Sequence, residues 1–124
     1  MDKLNIAAHG HRHLAMPGNK DMVAIAACVT KEDGTPVSGL TKADFKVRGL
    51  LTGNVHISSS IGLFLDYEQS DPLLAGYYAV FVKTADNNVW VGGECVFAVI
   101  VKSNALKAQG RTIAVLDILK PSDI

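Results

Sequence analysis

The stretch Asp21–Val47, DMVAIAACVTKEDGTPVSGLTKADFKV, decides the fold. Within it, Met22–Thr30 puts Val23, Ile25, Ala27 and Val29 on one parity and Ala24, Ala26 and Cys28 on the other. A segment apolar on both parities reads as a strand that is central in its sheet or covered on its outer side. Alanine also suits a helix. The β-branched residues and the turn that follows at once favour a strand instead. That turn is Glu32-Asp33-Gly34-Thr35-Pro36, where Gly34 takes positive φ without steric cost and Pro36 presets its own φ. Farther on, Thr41 is placed to cap one helical turn, with Asp44 near the positive end. Leu40 and Phe45 are expected to plug the mouth of the core, and Phe45-Lys46-Val47 resumes strand alternation.

Outward from this centre the chain keeps to strand patterns. Lys3–Ala8 is an expected first strand with Leu4 and Ile6 on one parity, and His9-Gly10-His11-Arg12-His13 either continues it or turns. Met16–Lys20 is a turn, Gly53-Asn54 another, and Val55–Ser58 and Ile61–Tyr67 are short strands. Glu68–Pro72 is a polar loop before the apolar run Leu73–Val82. Ala85-Asp86-Asn87-Asn88 is expected to be a hairpin turn into Val89–Val91 and Cys95–Val101, with a bulge at Gly92-Gly93. Ser103–Gln109, closed by Gly110, is the expected short helix. Arg111–Leu119 alternates again, with Ile113, Val115, Asp117 and Leu119 on one parity and Thr112, Ala114, Leu116 and Ile118 on the other.

Two segments carry a resemblance. Asp33–Val47 resembles the D-G-x-P-V-x-G-L-T-x-x-D-F-x-V segment of bacterial immunoglobulin-like modules, and Leu73–Val82 resembles their L-x-x-G-x-Y-x-V-x-V run, with Tyr78 as the matching tyrosine. The two segments together make up about a fifth of the chain. The resemblance implies an all-β, antiparallel, immunoglobulin-like sandwich of about seven to nine strands in one domain spanning residues 1–124. It implies that Tyr78 stands in the core on the penultimate strand, its hydroxyl bonded to backbone near the preceding loop. It would also put Cys28 on the second strand and Cys95 on the last strand of the core, a poor match to the intersheet bridge of antibody domains. Two buried free thiols are the favoured alternative. On this count Arg111–Leu119 lies beyond the core, as an added edge strand or as a strand that pairs with another chain. Modules of this family often accompany adhesion or surface domains, but the fold hosts many unrelated activities.

Composition narrows the function classes. The chain of 124 residues is long enough for its own core. Twelve basic and twelve acidic side chains give a formal charge of zero, which argues against nonspecific nucleic-acid binding and against a basic membrane-surface patch. Near neutrality also leaves little repulsion between copies. Met1–Leu4 carries no signal-peptide core, and the longest apolar run, Cys95–Val101, has the length of a strand rather than of a membrane span. Those features are compatible with a cytoplasmic protein or with an excised extracellular domain.

Few residues suggest chemistry. His9, His11 and His13 alternate, so one strand would present all three imidazoles on one face, where neutral nitrogens ligate zinc or copper. The outer pair would then stand about 13 Å apart, so two histidines with His56 or Cys28 form a more feasible set than all three. A solvated histidine-rich turn is the alternative. Asp66, Glu68 and Asp71 bracket a loop without a recognisable calcium spacing. Ser58-Ser59-Ser60 lacks a nucleophile elbow, and there is no phosphate-binding loop, dinucleotide fingerprint or C-x-x-C. Trp90 is a candidate interface anchor, with Ile113 and Val115 beside it as candidates from the last strand. The expectation is therefore a non-enzymatic module that binds a protein partner or forms a homo-oligomer, with no cofactor. The alternative is a metal-binding protein that uses the histidine cluster.

Overall fold

The computed structural model describes residues 2–10, 13–14, 22–52, 62–66, 72–83 and 93–119. These residues are almost wholly extended: β1 (Asp2–Gly10), β2 (His13–Leu14), β3 (Met22–Lys31), β4 (Phe45–Leu51), β5 (Gly62–Asp66), β6 (Tyr77–Lys83), β7 (Gly93–Ser103) and β8 (Ala108–Leu119). The only helical pieces among them are two 3-10 turns, Lys42–Asp44 and Pro72–Leu74. The all-β class expected from the sequence is what forms.

Hydrogen bonding runs along one path, β4-β7-β8-β1-β3-β6-β5, with β2 joined to β8. The sheet is mixed rather than purely antiparallel, because β1 and β2 both run parallel to β8. Only Asp2 and Lys3 of β1 pair with β8, whereas Leu4–Gly10 pairs antiparallel with β3. β1 thus changes partner within a single strand. The change brings two backbones very close together. A Cβ on Gly110 would collide with the Leu4 carbonyl, and one on Gly10 with the Leu116 side chain. Glycine at both positions is what lets the sheet fold over at this seam.

The path is curled so that its ends face each other across the core. Phe45 opens β4, at one end, and Tyr78 lies on β6, next to the other end. Their rings pack with centroids 5.3 Å apart, tilted by 56°. Val23, Ile25, Ala27, Phe45, Tyr78, Val80 and Phe97, the core expected from parity, lie in one buried cluster. Val29, Val82, Val99, Val101, Ala114 and Leu116 join it. β3 is central, between β1 and β6. Val23, Ile25, Ala27 and Val29 are fully buried and Ala24, Ala26, Cys28 and Thr30 half-buried, which is why both parities are mostly small or apolar.

The turn after β3 forms as expected, with Gly34 at φ 87°. The Asp33 carboxylate accepts a hydrogen bond from the Thr35 backbone N–H at 2.9 Å. Pro36 then bridges back to Thr30, and Val37 N–H bonds the Val29 carbonyl at 2.9 Å. The expected cap also forms: Asp44 Oδ2 accepts from the Thr41 backbone N–H at 2.8 Å and from the Thr41 hydroxyl at 3.2 Å. Leu40 and Phe45 are buried on either side of this turn.

Four sequence expectations are corrected. First, β6 and β7 are not a hairpin: β6 pairs with β3 and β5, and β7 with β4 and β8. The residues of the expected turn, 85–88, lie outside those described. Second, Tyr78 is consequently not on the penultimate strand. Its hydroxyl donates to the Val37 carbonyl at 2.6 Å and accepts from the Leu40 N–H at 3.2 Å. Its partners belong to the connection between β3 and β4, not to the loop before β6. Third, Asn104–Lys107 is a tight turn rather than a helix. Ser103 pairs with Ala108 across it, the Ser103 hydroxyl oxygen accepts from Leu106 N–H at 3.2 Å, and Lys107 takes φ 51°. A serine that bonds backbone locally favours such a turn over a helix. Fourth, β8 does not lie beyond the core. It is the antiparallel partner of β7 from Ala108 to Ile118 and supplies Ala114 and Leu116 to the buried cluster.

Candidate functional site

The placement of β8 changes what its apolar residues can do. β7 pairs along one edge of β8, and at the other Asp2 and Lys3 of β1 pair with one end and His13 and Leu14 of β2 with the opposite end. The outer face of β8 is open. Alternation sends Thr112, Ala114 and Leu116 inward and Arg111, Ile113, Val115 and Asp117 outward. Ile113 is 57% exposed and Val115 45% exposed, unusually high for branched aliphatics on an interior strand.

Register sets their neighbours. Ile113 stands opposite Ala98, Val115 opposite Val96, and Arg111 opposite Ile100. Val96, Ala98 and Ile100 are the half-buried outward residues of β7. On the far side of β7, Leu51 of β4 pairs with Val96 and is 54% exposed. The outer face of β4, β7 and β8 therefore carries an apolar band, Leu51-Val96-Val115 in one row and Ala98-Ile113 in the next. A bulge between Gly49 and Leu51 brings Leu51 into that band. Charges lie around it. Glu94 and Asp117 face each other at one end, while Lys46, Lys102 and Arg111 lie toward the other and Arg48 lies beside Ala98.

The two interface residues expected on the last strand, Ile113 and Val115, thus share this face. Trp90 lies outside the described residues, as do His11, His56, Glu68, Asp71 and Ser58–Ser60. His9 is exposed on β1 opposite Ala26 of β3, whereas His13 begins β2 opposite Ile118 of β8. The two histidines therefore stand on separate strand elements with different pairing partners. Among the described residues no three His, Cys, Asp or Glu side chains are grouped to hold a metal ion. Sequence reasoning named Ile113 and Val115 but missed Val96, Ala98, Ile100 and Leu51. The parity of Cys95–Val101 carried the signal, with Cys95, Phe97, Val99 and Val101 buried and the residues between them also apolar.

Cys28 and Cys95 are unbridged. Cys95 is directed into the core and Cys28 occupies the half-buried outer parity of β3. Burial pushes the Cys95 thiol above its ordinary pKa. The Asp33 carboxyl lies below the usual aspartate value, held there first by the Thr35 backbone N–H and next by the Thr35 side chain.

Three concavities lie near the seam between β1 and β8, one of them, of about 410 Å³, lined by Lys3, Asn5, Ala7, Cys28, Thr30 and Arg111, among others. Another, of about 360 Å³, is lined by Asp2, Lys3, Lys31, Glu32, Asp33 and Leu106, among others. A wider one of about 630 Å³ is lined by Lys3, Leu4, Ile100, Gln109, Gly110 and Arg111. The one of about 360 Å³ mixes both charge signs, and the one of about 410 Å³ has the Cys28 thiol in its lining. Among the described residues no helix is long and apolar enough to cross a membrane. Comparison of the chain with protein families, with curated proteins and with solved structures finds no match.

Proposed function

We propose that this chain is a non-enzymatic binding module, built as an immunoglobulin-like sandwich, that docks through the outer face of β4, β7 and β8. The order β1-β3-β6-β5 with β4-β7-β8 supports the fold part of this reading. It is the order of the A-B-E-D and C-F-G sheets of a seven-stranded immunoglobulin domain. Phe45 against Tyr78 is the kind of contact that two facing sheets make. β1 departs from two fully separate sheets by bonding to both halves, and Tyr78 stands on the strand that corresponds to E rather than F.

The observation that carries the functional part is the exposure of Ile113 and Val115 beside Val96, Ala98 and Leu51 on an already paired, interior strand. A contiguous apolar patch rimmed by charge marks an interaction surface more often than a structural need. Replacing both Ile113 and Val115 by Ser separates the two. If the side chains serve docking, the isolated chain at micromolar dilution keeps its urea midpoint within about 0.5 kcal/mol of unfolding free energy. A loss of more than about 2 kcal/mol would mean that these side chains serve the fold, and the reading would fail.

A further inference from the structure

The charges around the apolar band are not scattered. Register puts them in rows along the strands. Glu94 and Asp117 face each other in one terminal row. Leu51, Val96 and Val115 follow, then Arg48, Ala98 and Ile113, then Lys46, Ile100 and Arg111, and finally Lys102 with Gln109. Lys3 of β1 extends this last row, opposite Gln109. The face is thus acidic at one end and basic at the other, with a middle that is apolar on β7 and β8 and flanked by Arg48 on β4.

A surface of one sign calls for a partner of the opposite sign. A surface with both signs at opposite ends of an apolar centre is complementary to itself when one copy is reversed. We infer that the occupant of this face is a second copy of the same chain, packed face to face about a two-fold axis that lies in the interface and runs across the strands. This inference rests on the proposal that the face is a docking surface.

Two kinds of in-plane two-fold bring the same faces together. An axis along the strands lays each row on its own copy, so that Glu94 and Asp117 meet Glu94 and Asp117. An axis across the strands, set at the Ala98–Ile113 row, reverses the rows and keeps each strand over its own copy, so that Glu94 of one copy comes over Lys102 of the other and Asp117 over Gln109, one row from Arg111, at both ends at once, while Arg48 meets only its own copy at the rim. Like charges facing each other in a partly desolvated interface disfavour the first arrangement, and opposite charges favour the second. With the axis along the strands each central row meets its own copy; with the axis across them Ala98 and Ile113 meet their counterparts on the axis, while Val96 and Val115 come over Ile100 and Arg111. The balance of twelve basic against twelve acidic side chains leaves no long-range repulsion to overcome.

The test uses the full chain and a complementary pair of charge reversals, Glu94→Lys with Asp117→Lys, and Lys102→Glu with Arg111→Glu. Each variant is first checked for an unaltered unfolding transition, and mass is followed by sedimentation over a concentration series. The wild type is expected to approach twice the chain mass. Each double variant alone should dissociate at least tenfold more readily. An equimolar mixture of the two should regain the wild-type dissociation constant to within about threefold. A wild type that stays monomeric at the highest concentrations overturns a second copy as the occupant. In that case the stability result for the Ile113→Ser, Val115→Ser protein still decides on its own whether the face is a docking surface. A dimer that neither double variant weakens overturns the reversed arrangement. So does a weakening that mixing does not restore.

Discussion

The two outer faces of the curled sheet are built from different residues. The face over β1, β3 and β6 is mostly small: Ala7, Ala24, Ala26, Cys28 and Ala79, with Tyr77 and Phe81 on β6. The face over β4, β7 and β8 carries Leu51, Val96, Ile100, Ile113 and Val115. Small side chains on a central strand leave the neighbouring strands to cover it, and Ala24, Ala26, Cys28 and Thr30 of β3 are half-buried without any partner chain. Branched aliphatics stand farther from the sheet, and Ile113 and Val115 remain largely open to solvent. An outward apolar residue on a strand is therefore no guide to docking until the size of its neighbours is known.

The contrast can be broken most violently by removing β8. Deletion of Gly110–Ile124 strips β7 of its longest ladder and takes Ala114 and Leu116 out of the core. The truncated chain is expected to lose its cooperative unfolding transition altogether. A truncated form that still melts cooperatively would return β8 to the role of an added strand. Next in size, Phe97→Ala, on the inward parity of β7, should cost about 3–5 kcal/mol. Its neighbour Ala98→Ser, on the outward parity, should cost less than about 0.5 kcal/mol by the same denaturation measurement.

Tyr78→Phe is expected to cost about 1–3 kcal/mol, because the buried Val37 carbonyl and Leu40 N–H both lose the hydroxyl. Gly76→Ala should fall in a similar range. Gly76 sits at φ 82°, and a Cβ there would come within 2.7 Å of the Val29 carbonyl oxygen. Unaltered stability in either variant would mean that the junction of β3, Pro36 and β6 is looser than its hydrogen bonds indicate.

The strands themselves were legible because alternation is a local property. Val23–Val29, Phe45–Val47, Tyr78–Val82 and Phe97–Val101 each declare their buried side within a few residues. Pairing is not local. Nothing between Tyr78 and Cys95 says that the chain leaves one half of the sheet for the other, so adjacency in sequence was read as a hairpin. That one error moved the strand count by one and left Arg111–Leu119 outside the core. The Asn104–Lys107 turn was misread for a different reason. Alanine, leucine and lysine suit a helix, but the Ser103 hydroxyl and a left-handed Lys107 close a four-residue turn instead. Of the proposed docking face, only the β8 part was visible in advance, because the β4 and β7 residues join it through register alone.

Two smaller effects sharpen the comparison at the level of single groups. Cys28, on the small-residue outer face, should react with a thiol reagent in the folded protein at least tenfold faster than Cys95, which is buried with a raised pKa. Equal rates would place both thiols on the same side of the sheet. Reductant should leave stability unaltered, since no bridge joins them. The smallest effect belongs to Asp33. Its folded pKa is lowered, so its contribution to stability is present above the unfolded aspartate value and is lost as pH falls through the lower folded one. Its carboxyl titration, followed by NMR, should therefore have a midpoint below that of an ordinary aspartate, and Thr35→Pro, which removes the N–H, should move the midpoint up.

The account depends on β8 being an inner strand that presents a face and not an edge. Amide hydrogen exchange of the dilute monomeric protein reads this directly. The amides of β8 that bond to β7 should exchange as slowly as their β7 partners around Phe97 and Val99, in one cooperative unit with the core. Exchange of Arg111–Leu116 at the rate of an unstructured tail, while β7 stays protected, would contradict the account.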